Sequence, residues 1–102
     1  MFGLVVRFTC KDQLHAAQFD RLTAATVAEI VEHEPGTLLY TTHRVGGRPL
    51  ERVFYELYED RAAFEVHERQ PHVTAFLSER EQHLTDVEVD FLDLLTGKGI
   101  NE

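Results

Sequence analysis

The chain has 102 residues, 43% of them hydrophobic and 27% charged, a composition that fits one globular domain and leaves no room for a second core. Its net charge is −8 and no lysine or arginine cluster interrupts that acidity, which argues against nucleic acid and anionic membranes as partners. The opening MFGLVVRFTC carries too few apolar residues for a signal peptide or membrane span, and the single Cys10 has no thiol to pair with, so a cytoplasmic protein is expected.

Phe2, Leu4, Val6 and Phe8 alternate with Val5, Arg7 and Thr9, a period of two that predicts a first strand. Asp12 is a natural cap for a long helix reaching about Glu34. Within it Phe19, Leu22, Thr26 and Ile30 follow helical spacing, and Pro35-Gly36 stops it. GTLLYTTHRV and LERVFYELYE are rich in β-branched and aromatic residues, and the GGRP between them reads as a hairpin turn. Asp60 caps a short helix over residues 61–70. Pro71 suits the first turn of another over 71–84, with Val73, Phe76, Leu77, Arg80 and Leu84 along one side. TDVEVDFLDLL alternates again as the last strand, so the domain covers residues 1–95, and residues 96–102 form a flexible tail.

This order, βαββαβ with the second helix broken at Pro71, predicts an α+β, ferredoxin-like fold: a four-stranded antiparallel sheet with its helices on one face. The other face still carries Leu, Val, Phe and Tyr in part. A second copy of the chain is its simplest cover, which predicts a homodimer.

Polar residues that interrupt this pattern are the candidates for chemistry. Arg7 lies in an apolar strand, and the hairpin contributes Tyr40, His43, Tyr55, Glu56 and Tyr58. Alternation sets Phe54, Glu56 and Tyr58 on one face, so Glu56 is a carboxylate between two aromatics. Arg7 and Glu56 form either a structural ion pair across the sheet or two parts of a site. His67 shares a face with Ala63 and Phe64, and His72 follows Pro71 beside Val73 and Phe76. His15, His33 and His83 read as helix-surface residues. Nothing in the histidine spacing or the lone cysteine matches a metal site, and no dinucleotide, phosphate-loop or serine-hydrolase motif occurs, so neither metal nor cofactor is expected.

The stretches EPGTLLY and FYELYEDRAAFEVHERQPHVTAF, with Glu34, Gly36, Tyr40, Glu56, Tyr58, Asp60, Ala63, His67, Pro71 and His72 in that order, resemble the antibiotic biosynthesis monooxygenase domain family. The resemblance implies a dimeric α+β barrel and oxygenation of a small aromatic, quinol or polyketide-like substrate without flavin, haem or metal. It also implies roles. His67 is the base, His72 or Glu56 its orienter, Arg7 the anion stabiliser, and Tyr40, Tyr58 and Phe64 contact the substrate, the polar roles being interchangeable at this level. Haem-degrading relatives use an Asn on the first strand and a Trp on the helix. Arg7 and His67 stand in those places and the chain has no Trp, which disfavours haem. Two other functions use the same residues: isomerisation of a small metabolite by the His/Glu cluster, and non-catalytic binding of a small hydrophobic ligand by the dimer.

Overall fold

Alternation in the first strand decides which face of the sheet is buried. In the computed structural model, which describes residues 1–100, that strand is β1 (Phe2–Cys10). Phe2, Leu4, Val6, Phe8 and Cys10 are buried in it, while Val5, Arg7 and Thr9 are half-exposed. The chain continues through α1 (Gln13–His33), β2 (Thr37–Val45), β3 (Arg48–Tyr58), α2 (Arg61–Glu68), α3 (Pro71–Glu79), a 3-10 turn (Arg80–His83) and β4 (Leu84–Asp93). The strands form one antiparallel sheet in the order β2-β3-β1-β4, the ferredoxin-like arrangement read from the sequence.

The helices lie on the even-numbered face of β1. Phe19 of α1, Phe64 of α2 and Phe76 of α3 join Phe2, Leu4, Val6, Phe8, Phe54 and Tyr58 in a single core. The Phe8 ring lies 4.5 Å from that of Phe54 and 5.1 Å from that of Phe19, contacts that add to simple area burial. Register carries the same face outward: Phe2, Leu4 and Val6 stand opposite Tyr58, Glu56 and Phe54 on β3, and Glu56 stands opposite Tyr40 on β2. Glu56 therefore points under the helices.

Local sequence sets the element ends. Asp12 and Asp60 cap α1 and α2, their carboxylates accepting from the His15 and Ala63 N–H groups at 2.8 Å each. Three expectations need correction. The hairpin turn is Gly46-Gly47, where Gly47 takes a φ of +78°, while Arg48 and Pro49 already belong to β3. The last helix stops at Glu79 and tightens into the 3-10 turn, because the His83 carbonyl is drawn over to accept from the Lys11 N–H at 2.9 Å. That same turn buries His83 against the His15 ring instead of leaving it on the surface. Residues 94–100 hold no helix or strand, and positions 101 and 102 of the expected tail lie outside the described residues. No helix among the described residues is long and apolar enough to cross a membrane.

Gly36 controls how closely α2 approaches the sheet. A Cβ there would meet the Ala63 Cβ at 2.9 Å, so glycine and alanine together let α2 settle against the start of β2. Gly36→Ala should lose about 1–3 kcal/mol of stability in denaturant titrations through this overpacking. Gly36→Ala combined with Ala63→Gly should lose less than the sum of the two single changes.

Candidate active site

Pro71 breaks what would have been one helix, and the break aims two histidines at one carboxylate. Pro71 has no N–H to donate and keeps Gln70 extended (φ −66°, ψ 138°), so α2 ends and α3 starts in a new direction. His67 lies in the last turn of α2 and His72 in the first turn of α3. Both reach Glu34, the residue on which α1 ends before Pro35. His67 Nδ1–H donates to Glu34 Oε1 at 2.6 Å and His72 Nε2–H donates to Glu34 Oε2 at 2.5 Å. The Thr37 hydroxyl adds a third bond to Oε1 at 2.7 Å. Glu34 is only 5% exposed, and such a buried carboxylate is stable only when its oxygens are satisfied in this way.

With Nδ1–H committed to Glu34, a neutral His67 turns its Nε2 lone pair toward Glu56, whose Oε1 lies 3.9 Å away, beyond hydrogen-bond length. Glu56 Oε1 accepts from the Tyr58 hydroxyl at 2.6 Å. Burial pushes the Glu56 carboxyl up to about 7, and the Tyr58 bond only partly opposes it. Burial, with Glu56 adding to it, drives the Tyr58 hydroxyl far above the usual phenol range, so Tyr58 stays a donor. The Tyr40 hydroxyl is pushed well up too, first by burial and then by Glu56.

Glu56 and His67 open onto a cavity of about 130 Å³ between sheet and helices. Leu4, Val6 and Phe8 line it from β1, Phe64, Val73 and Phe76 from the helices, and Val89 and Phe91 from β4. Tyr40, Glu56, His67, Glu68 and Arg80 are its polar groups. A larger recess of about 210 Å³ beside α1 includes Asp20 and Arg52, but there the guanidinium is locked in a two-pronged pair with Asp20 at 2.8 and 3.0 Å.

Of the residues expected in a site, Tyr40, Glu56, Phe64 and His67 line the cavity, Tyr58 stands behind Glu56, and His72 stands behind Glu34. His43 bonds Thr41 at the far end of β2. Arg7 is not part of the cluster. It stands opposite Val53 and Glu88 on the face away from the helices and pairs with Glu51 at 2.8 Å, so the Arg7–Glu56 ion pair, one of the two readings open from the sequence, does not form. One residue of offset along a strand reverses the face, and the register alone shows that Glu56 belongs with Leu4 rather than with Arg7. The sequence reading missed Glu34 and Arg80 as site residues. Glu34 was visible only as the acidic residue before Pro35-Gly36, and Arg80 only as a charge in the apolar stripe of α3. No group of three or more His, Cys, Asp or Glu side chains is arranged to hold a metal among the described residues.

Known structures share this architecture. A Pseudomonas aeruginosa protein is 28% identical with a TM-score of 0.83, the match covering 93% of this chain and 94% of that one. A Mycobacterium tuberculosis protein is 22% identical with a TM-score of 0.86, covering 96% and 98% of the two chains. A Deinococcus radiodurans protein carrying an antibiotic biosynthesis monooxygenase name is 22% identical with a TM-score of 0.81, covering 100% and 98%. At such identities the last two speak for the fold alone. No functionally curated protein matches the sequence. Residues 1–79 match the family named Antibiotic biosynthesis monooxygenase, and over these residues lie β1 to α3 with Glu34, Glu56, His67 and His72: the chain belongs to that family.

Proposed function

We propose that this chain is a cofactor-independent monooxygenase that oxidises a small electron-rich aromatic, quinol or polyketide-like molecule with O₂. The observation that carries the reading is Glu56: a buried carboxyl titrating near neutrality on the wall of an apolar cavity, backed by the Glu34–His67–His72 chain. Family membership supports the same reaction class.

Triplet O₂ reacts poorly with closed-shell molecules, but a phenolate or enolate can pass it one electron. The protein must remove a proton, hold the resulting anion and keep water from the radical pair. Glu56 is assigned the first task in place of His67, the base expected from the sequence, because the Glu56 carboxyl titrates near neutrality on the cavity wall. His67 Nε2 faces Glu56 and is placed to relay the proton. A movement of about 1 Å would join His67 Nε2 to Glu56. The proton then has a route through the His67 ring to Glu34 Oε1, while His72 holds the other oxygen of that carboxylate. For a hydroquinone the balance is simple: one O₂ is consumed, one oxygen atom stays in the hydroxyquinone and the other leaves as water.

A homodimer fits the uncovered face of the sheet, where Val5, Val53 and Tyr55 are half-buried and Leu39 and Leu92 are about 40% exposed. Its other end is charged through Arg7, Glu51 and Glu88, so the apolar end is the contact. A buried, free Cys10 suits a reducing cytoplasm. Light scattering should give twice the chain mass at micromolar concentration, and Tyr55→Asp should give a folded monomer by circular dichroism. A monomeric parent chain would refute the dimer.

Oxygen uptake with a panel of hydroquinones and anthrones tests the reaction. Glu56→Gln should slow it by about 10²- to 10⁴-fold, with smaller losses for His67→Ala and His72→Ala. The parent rate should rise with pH and level off above about 7. If Glu56→Gln keeps the rate and His67→Ala abolishes it, the base is His67. If no substrate consumes oxygen, the isomerase and binding-module readings take over.

Glu56 should also reveal itself in stability. Its carboxyl titrates near 4.5 in an open chain and near 7 when folded, so between these values the folded protein holds a proton that the unfolded chain releases. Stability therefore falls as pH rises from 4.5 to 7, by an amount on the order of 3 kcal/mol. Glu56→Gln removes that fall. Thermal melts should show the variant more stable than the parent at about pH 8, with the gap closing at about pH 4.

A further inference from the structure

Arg80 opens the 3-10 turn after α3, one helical turn beyond Phe76. Its guanidinium lies over the rings of Phe8 and Phe76, 5.5 and 5.9 Å from their centroids, and lines the cavity with Tyr40 and Glu56. Three arginines are not fully exposed, and of these the guanidinium groups of Arg7 and Arg52 each find a carboxylate. That of Arg80 finds none within 4.0 Å among the described residues. A half-buried guanidinium without an acceptor is uncommon, because its N–H groups lose water and gain nothing in return. Stacking uses the faces of the planar group and leaves its edge of N–H donors free. The acidic groups that face it are Glu56 and Glu68 across the cavity and Glu81 beside it on the turn. Glu68 and Glu81 are exposed, so water weakens their hold.

We infer that Arg80 is the residue that binds the anionic oxygen of the substrate, and that the cavity takes one-ring hydroxyaromatic compounds in their phenolate form. The inference rests on the monooxygenase reading for the oxidation of the bound anion, but not for the binding itself. A cavity of about 130 Å³ is close to the roughly 150 Å³ that accepts a benzene ring in other proteins, so one ring fits inside and larger substituents protrude over Val89 and Phe91. In the binding step the phenol O–H bond breaks, the proton goes to the Glu56 carboxylate, and the electron pair stays on the oxygen facing Arg80. Arg80 makes this transfer feasible. A phenol at about 10 is a poor match for a carboxylate near 7, and an opposite charge within about 4–6 Å moves an acid down by about one to three pH units.

The test uses 4-nitrophenol, coloured only as the phenolate, titrated under anaerobic conditions. The dye bound to Arg80→Met should ionise about one to three pH units higher than the dye bound to the parent, while Arg80→Lys should stay near the parent. Arg21→Met, on the outer surface of α1, should leave the titration unchanged. On the parent protein, benzoate should displace the dye at least tenfold better than benzyl alcohol, a comparison that does not depend on any variant folding. Equal ionisation in parent and Arg80→Met, equal displacement by benzoate and benzyl alcohol, or no dye binding at all would overturn the inference. If the Arg80-dependent ionisation holds but no phenol or hydroquinone consumes oxygen, anion binding stands and the monooxygenase reading fails.

Discussion

A buried carboxylate must find donors for its oxygens, and Glu34 finds three of them on three different elements. Thr37 at the start of β2, His67 on α2 and His72 on α3 all converge on it at the end of α1. Removing such a charge from water is expensive unless these bonds are made, so their geometry constrains everything attached to them. The close approach of Gly36 to Ala63 and the break at Pro71 serve that constraint: the first brings α2 to the sheet, and the second turns His72 back toward the carboxylate.

The tether leaves the other side of His67 free, and there the character of the molecule changes. Glu56 faces Leu4, Val6, Phe8, Phe64 and Phe76 rather than water, and its raised carboxyl records the cost of that burial. A glutamine in its place would serve the fold better above neutral pH.

Two arginines illustrate how a fold redistributes roles. Arg7 attracts attention as a charge inside an apolar strand, yet its side chain belongs to the open face and is satisfied by Glu51. Arg80 looks ordinary near a helix end, yet the turn after α3 carries it over Phe8 and Phe76 to the cavity wall. The pattern that betrays Arg80 is helical: it falls on the stripe of Val73, Phe76 and Leu77, where a charge has no solvent reason to be.

Periodicity and end signals in the sequence by themselves determined the element order, the caps at Asp12 and Asp60, the stop at Pro35-Gly36 and the buried face of β1, because these depend on residues close together in the chain. The motif order also made the family legible. Only the tertiary structure decided which polar groups meet. Glu34 and His67 are 33 residues apart, and Glu34 and His72 are 38 apart. Whether Arg7 shares a face with Glu56 depends on strand register, and whether Arg80, already marked by its helical stripe, reaches the cavity depends on the direction of one short turn.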